Sequence, residues 1–197
     1  MKKIIAACAA VSVISAGSPA GAGNVGAKQA AVVVAQRGFQ EKEFLPVRDA
    51  LVSAGIGCVV VSSSTGEASG VAGTKAVCEK KIGDIKASDY AAVIFIGGPG
   101  AAVFFNDPAA QKLAVDTVSS GRLLGAICIS PVILANAGVL KGRKATVFPG
   151  EEQYLLSGGA VYTGNSVEKD GKIITADGPA SAQAFAQTIV KTLGDVP

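Results

Sequence analysis

Leu124-Gly125-Ala126-Ile127-Cys128-Ile129-Ser130-Pro131 joins an apolar run of strand length to a Ser-Pro helix start, with a cysteine at the joint. A strand-to-helix turn thrusts its side chain outward, the geometry of a nucleophile elbow. The helix N-terminus behind it favours negative charge, which predicts a thiol shifted toward thiolate. The chain contains no histidine. A Cys-His or Ser-His relay within one chain is therefore ruled out.

Outward from the elbow, apolar strands alternate with amphipathic helices. Upstream, Ala91 to Ile96 is a strand running into Gly97-Gly98-Pro99-Gly100, and Asp107-Pro108 opens a helix that Gly121 closes. Leu123 to Ile127 is the strand that feeds Cys128, and Ser130-Pro131 repeats the cap-and-proline grammar for a short helix ended by Gly138. Nearer the N-terminus, Ala31 to Ala35 reads as a strand. Gln40 to Ala54 reads as a helix with Phe44, Val47, Leu51 and Ala54 on one face, and Cys58 to Ser62 as the next strand. Ser64 to Ala87 is a Gly-rich, polar, hairpin-like excursion with a short strand expected around Lys75 to Glu79. Downstream, Ala145 to Phe148 is a strand, Val167 to Ile174 a hairpin on Asp170-Gly171, and a last helix starts near Pro179 with Ala182, Phe185, Ala186, Ile189 and Leu193 along one side. Val/Ile-rich strands separated by helices predict a mostly parallel sheet covered on both faces, a three-layer α/β/α sandwich.

At 197 residues, 49% of them hydrophobic and 17% charged, the chain is long and apolar enough for one domain with a real core. The net charge of +3 includes Lys2 and Lys3, and no Lys/Arg cluster is interleaved with aromatics, so a nucleic-acid surface is not indicated. Lys2-Lys3, the apolar stretch Ile4 to Ala16 and the small residues Ala20-Gly21-Ala22 read as a bacterial-type signal peptide over 1–22, with one domain over 23–197. The apolar run is too short for a comfortable membrane span, so a periplasmic or secreted protein without a stable span is expected after its removal. Cys8 would leave with the signal. Cys58, Cys78 and Cys128 would remain, an odd number, so at least one thiol is free or pairs between chains; a Cys58–Cys78 disulfide is one arrangement open in an oxidising compartment.

Ligands of open parallel sheets bind beyond the carboxyl ends of the strands. Chain order alone brings Glu41 and Glu43, the Gly97–Gly100 loop and Cys128 to that edge. Each also has a plain structural reading: a small core cysteine, a tight turn, and solvated first-turn acids. The glycine loop lacks the Walker lysine and the dinucleotide spacing, and no histidine or zinc-type cysteine spacing is present, so neither a cofactor nor a metal is expected.

These residues resemble the ThiJ/PfpI superfamily, the flavodoxin-like group, with a class I glutamine amidotransferase-like fold, that contains the Parkinson's-associated protein deglycase and the PfpI-type proteases. The resemblance covers about residues 29–194 and is carried by Gly38-Phe39-Gln40-Glu41-Lys42-Glu43, Phe95-Ile96-Gly97-Gly98-Pro99-Gly100, Ala126 to Pro131, Ala137 to Thr146, and Val167 to Thr175 leading into Gly178-Pro179. It implies Cys128 as elbow nucleophile, Glu43 as the buried acid sharing its proton, and the backbone N–H groups of Gly98 and Ile129 as an oxyanion hole. Counting from Phe39 selects Glu43. Counting back from Pro46 selects Lys42, so Glu41 stands as a second choice. The resemblance also implies a homodimer.

The departure is at histidine. PfpI-like proteases resemble a Cys-His-acid design with histidine directly after the cysteine, where this chain has Ile129, and deglycase-type members bring a histidine near Phe148-Pro149-Gly150, also absent here. Proteolysis, which must protonate a poor amine leaving group, is disfavoured. Addition of Cys128 to a small carbonyl substrate such as a 2-oxoaldehyde, with Glu43 moving protons, remains: glyoxalase- or deglycase-like chemistry. The alternatives are a non-catalytic redox-responsive protein in which Cys128 is oxidised to a sulfinate, or a binding protein.

Overall fold

A computed structural model describes residues 29–194; the expected signal segment, 1–22, lies outside them. The chain opens with β1 (Gln29–Val33), a short β2 (Arg37–Phe39) and α1 (Glu41–Ser53). β3 (Gly57–Ser62) follows, then the hairpin β4 (Gly66–Gly70) and β5 (Lys75–Cys78), and a two-residue β6 (Lys80–Lys81). β7 (Ala92–Phe95) runs into a 3-10 turn over Pro99–Phe104, then α2 (Pro108–Ser119), β8 (Leu123–Ile127) and α3 (Pro131–Asn136). The last third holds β9 (Lys144–Ala145), α4 (Glu152–Ser157), β10 (Val161–Tyr162), the hairpin β11 (Val167–Asp170) and β12 (Ile173–Ala176), and α5 (Ala182–Gly194).

Seven strands form the main sheet in the order β11-β12-β8-β7-β1-β3-β6, all parallel except the β11–β12 hairpin. Its central strands are apolar and buried on both faces, as strands between two helical layers must be. Side chains alternate between the layers. Ala31 and Val33 pack with Leu113 and Ala114 of α2 and Val132 to Leu134 of α3. Ala30 and Val32 pack instead with Phe44, Val47 and Leu51 of α1 and Phe185 and Ile189 of α5. The expected three-layer α/β/α sandwich is the observed fold. Asp107 caps α2 as its sequence position implies, accepting the Ala110 N–H at 2.8 Å.

Some local expectations are overturned. Instead of a strand over Ala145 to Phe148, only Lys144–Ala145 pairs, with β10. The Thr146 N–H bonds to Thr175 Oγ1 at 2.9 Å and the Phe148 N–H to the Cys128 carbonyl at 2.9 Å, while Pro149 has no N–H to offer. That segment is tied to the elbow rather than to a sheet. Ser130 does not cap α3: its hydroxyl donates to the Ile96 carbonyl at 2.9 Å. Cys58 and Cys78 are free thiols. The Cys78 thiol lies against the Ser62 hydroxyl rather than in a bond to Cys58. Among the described residues no helix is long and apolar enough to cross a membrane.

Candidate active site

Cys128 follows β8 directly and has φ +64, the only positive φ at a non-glycine position among the described residues. Such a backbone costs on the order of 1–3 kcal/mol and persists only where its surroundings over-determine it. Here three bonds do so. The Cys128 N–H donates to the Ala176 carbonyl at 2.9 Å and its carbonyl accepts the Phe148 N–H at 2.9 Å, while Ser130 Oγ pins the next turn to Ile96. Cys128 is left 6% exposed at the carboxyl edge of the sheet.

Glu43, in the first turn of α1, is fully buried beside that thiol. Its Oε2 accepts the Gly97 N–H at 2.9 Å, and no other side chain or backbone donor serves Oε1. A carboxyl held by one N–H, with its second oxygen buried and unserved, is built to carry a proton. Gly97 makes the approach possible. A Cβ there would fall 2.5 Å from Cys128 Cβ and 2.9 Å from Glu43 Oε2. Gly98, at φ +96, turns the chain so that its N–H and that of Ile129 both converge on the Cys128 sulfur.

Burial raises the Glu43 pKa to about 7, against the pull of the Gly97 N–H and the thiol. Cys128 is pushed up to about 12, first by burial and then by the negative charge of Glu43, with the Gly98 and Ile129 N–H groups pulling the other way. The expectation of a thiol shifted toward thiolate is corrected: α3 spans only six residues, and its dipole does not offset burial beside a carboxylate. The two groups titrate as one unit. The pair gives up one proton near neutrality and holds the other far into alkaline pH.

Glu41 does not face the thiol, and its place as second choice is corrected. It points the other way and accepts the N–H groups of Ala72 at 2.5 Å and Thr74 at 3.3 Å. Burial works to raise its pKa, but these N–H bonds outweigh it and hold the carboxyl below its usual range. A Cβ at Gly70 would collide with the Glu41 side chain, so the β4–β5 loop closes tightly over that carboxylate. Glu41 fastens the excursion to α1. The Phe148 backbone is tied to the elbow through the Cys128 carbonyl, and its ring, 40% exposed, lies 3.1 Å from where a Gly178 Cβ would stand.

Residues 28–192 match the family model described as the DJ-1/PfpI family. The chain belongs to the DJ-1/PfpI family. Among its relatives is an uncharacterised protein of Methanocaldococcus jannaschii, 36% identical over 165 residues that span 82% of this chain and 80% of the relative. The Glutathione-independent glyoxalase DJR-1.2 of Caenorhabditis elegans is 30% identical over 166 residues, 84% of this chain and 89% of that one. A solved ThiJ/PfpI domain protein from Brachyspira murdochii superposes with a TM-score of 0.85 at 28% identity, covering 86% of this chain and 98% of the other. This DJ-1/PfpI member departs from a Cys-His design in having no imidazole at all. The bracing roles of Ser130 and of the Gly97 N–H are not apparent from spacing. The one sequence signal for the second is a pair of glycines ending an otherwise bulky strand.

Proposed function

We propose that the protein converts 2-oxoaldehydes or related small carbonyl compounds by glyoxalase- or deglycase-like chemistry. The observation that carries this reading is the fully buried Glu43, with a pKa of about 7, set against an elbow thiol. A proton carrier works best when its pKa lies near the working pH. Above about pH 7, the Glu43 carboxylate takes the thiol proton as Cys128 Sγ bonds to the aldehyde carbon. The carbonyl electron pair moves to oxygen, which the Gly98 and Ile129 N–H groups receive. Glu43 then returns the proton to that oxygen, and the product is a hemithioacetal with no net proton gained or lost. The same carboxylate can move the C–H proton to the neighbouring carbon as the hydroxyl proton passes to that carbon's oxygen. That yields a 2-hydroxy thioester, which water cleaves to the hydroxy acid and the free thiol.

The C. elegans relative named a glyoxalase supports this reading. Peptide cleavage is not part of the proposal, because no group can protonate a departing amine as an imidazole would. The test is methylglyoxal consumption and lactate formation by the purified protein. Turnover is expected, falling to the uncatalysed background in Cys128→Ala. Absence of turnover, or its survival in Cys128→Ala, would reject the proposal, and Cys128-dependent peptide cleavage would reject the histidine argument.

Export and self-association are part of the same proposal. The Lys2-Lys3, Ile4 to Ala16 and Ala20-Gly21-Ala22 pattern supports cleavage after Ala22. Mass analysis of the cell-envelope or secreted fraction should find a chain starting near Gly23, and an intact Met1 in the cytoplasm would refute it. The homodimer that the family resemblance implies should appear at twice the monomer mass in light scattering, and a monomer there would exclude it.

A further inference from the structure

The two peptide units that leave β7 carry the donors of the site. The first joins Ile96 to Gly97, and its N–H is the Gly97 donor to Glu43 Oε2 at 2.9 Å. The second joins Gly97 to Gly98, and the Gly98 N–H points at the Cys128 sulfur. A trans peptide is planar, with its C=O and N–H aimed in opposite directions, so whatever holds the C=O also aims the N–H. Both carbonyls are held. The Gln40 N–H donates to the Gly97 carbonyl at 3.0 Å, and the Ser130 hydroxyl donates to the Ile96 carbonyl at 2.9 Å.

The Ser130 bond completes a continuous chain: Ser130 O–H to Ile96 C=O, then, across the same peptide, Gly97 N–H to Glu43 Oε2. Ser130, Ile96 and Glu43 are all buried. Linked hydrogen bonds polarise one another, and a low-dielectric interior strengthens each of them. A hydroxyl pulling on the Ile96 oxygen makes the Gly97 N–H a better donor to a carboxylate. Ser130 also lies two residues past Cys128, so one bond ties the elbow to the loop that serves both Glu43 and the thiol. The Gln40 donor is main chain. Ser130 is therefore the side chain through which this loop is held to the elbow.

We propose that Ser130 is a positioning residue for Glu43: acting through the Ile96–Gly97 peptide, its hydroxyl aims and strengthens the backbone N–H that binds the carboxyl. Without that hydroxyl the Gly97 N–H holds the carboxylate less well, and Glu43 keeps its proton to higher pH. Of the titratable groups nearby, Cys128 alone acts on Glu43. Glu41, on the same turn, faces Ala72 and Thr74, and Lys42 between them is exposed. The consequence for turnover rests on the aldehyde reading, whereas the effect on Glu43 does not.

The test is a pH titration of the Glu43 carboxyl by carbon NMR in protein made with isotope-labelled glutamate, its signal assigned by its loss in Glu43→Gln. Ser130→Ala is expected to raise the midpoint by roughly 0.3–0.7 pH unit, a two- to fivefold gain in proton affinity. Ser130→Cys, which keeps a weaker donor, should raise it less. Ser62→Ala is the matched control. The Ser62 hydroxyl is also fully buried and donates to a backbone carbonyl, that of Val34, at 2.7 Å, but that peptide gives no hydrogen bond to Glu43. Ser62→Ala should lower Tm as Ser130→Ala does, yet leave the Glu43 midpoint in place. In methylglyoxal turnover, the acid limb of kcat should move up with the midpoint in Ser130→Ala and stay put in Ser62→Ala. An unmoved midpoint in both Ser130 variants, or an equal rise in Ser62→Ala, would overturn the role of Ser130. Absence of turnover in the parent would reject the aldehyde reading, while the titration by itself still upholds or overturns Ser130.

Discussion

Glu43→Gln should make Cys128 more reactive toward an alkylating agent at pH 8–9 and at the same time cut aldehyde turnover by about 10²–10⁴. The two effects run in opposite directions because Glu43 has two distinct influences on the thiol. After burial, its negative charge is the largest cause holding the thiol up near 12, and glutamine removes that charge. The thiol then titrates nearer its ordinary range, and alkylation rises at a pH where the wild type is still protonated. Glutamine keeps an acceptor for the Gly97 N–H but cannot carry the proton that addition to a carbonyl must move. Alkylation rates across pH, read beside turnover, separate the two influences.

Stability carries the same signature. Glu43 binds its proton more tightly folded than unfolded, its pKa rising from 4.5 to about 7. Its stabilising contribution is therefore complete below about 4.5 and lost as pH rises through about 7, on the order of 3 kcal/mol in all. Glu43→Gln should flatten that slope. Glu41→Gln is the internal contrast: it should weaken the bonds to the Ala72 and Thr74 N–H groups and lower stability by about 1–3 kcal/mol, yet leave the Cys128 titration where it was. If both glutamine variants move the Cys128 titration alike, the assignment of separate roles is wrong.

That contrast also marks how far the sequence could be read. Strand and helix order was legible because both signals are periodic and local. Leu123–Ile127 agrees residue for residue with the expected strand, and the helix expected over 40–54 appears as Glu41–Ser53 with its caps at the flanking residues. The elbow was legible from Cys128 between an apolar strand and Ser-Pro. What escaped was set by partners distant in sequence. Glu41 and Glu43 sit two residues apart on one helical turn, and only the Gly97 loop on one side and the Ala72–Thr74 loop on the other tell them apart. Ser130 looked like a helix cap because caps are local, but the Ile96 carbonyl, 34 residues away, takes its hydroxyl. The sign of the Cys128 shift went wrong for the same reason: a helix start is visible in sequence, whereas the burial that overrides it is a property of the assembled site.

Gly97→Ala should be among the most damaging single-methyl changes in the protein. The added Cβ would meet Cys128 Cβ at 2.5 Å and both Glu43 Oε2 and the Ile127 carbonyl at 2.9 Å. None of these can give way cheaply. Cys128 is already held at φ +64, Ile127 is sheet backbone, and Glu43 is buried with its Oε2 on the Gly97 N–H itself. Overpacking of this kind costs about 1–3 kcal/mol, which for a chain of this size lowers Tm by roughly 2–12 °C. The relief available is to push α1 and the elbow apart, and a displacement near 1 Å between reacting groups is worth about 10²-fold in rate. Gly83→Ala is the matched control. Its Cβ would meet nothing within 4 Å, so it should leave Tm and turnover unchanged or raise Tm slightly. Thermal denaturation and methylglyoxal turnover on both variants decide the matter. Were Gly97→Ala to behave like Gly83→Ala, the close approach of Glu43 to Cys128 would not be what this site requires, and the carboxyl would have to act on the thiol from farther away, through water.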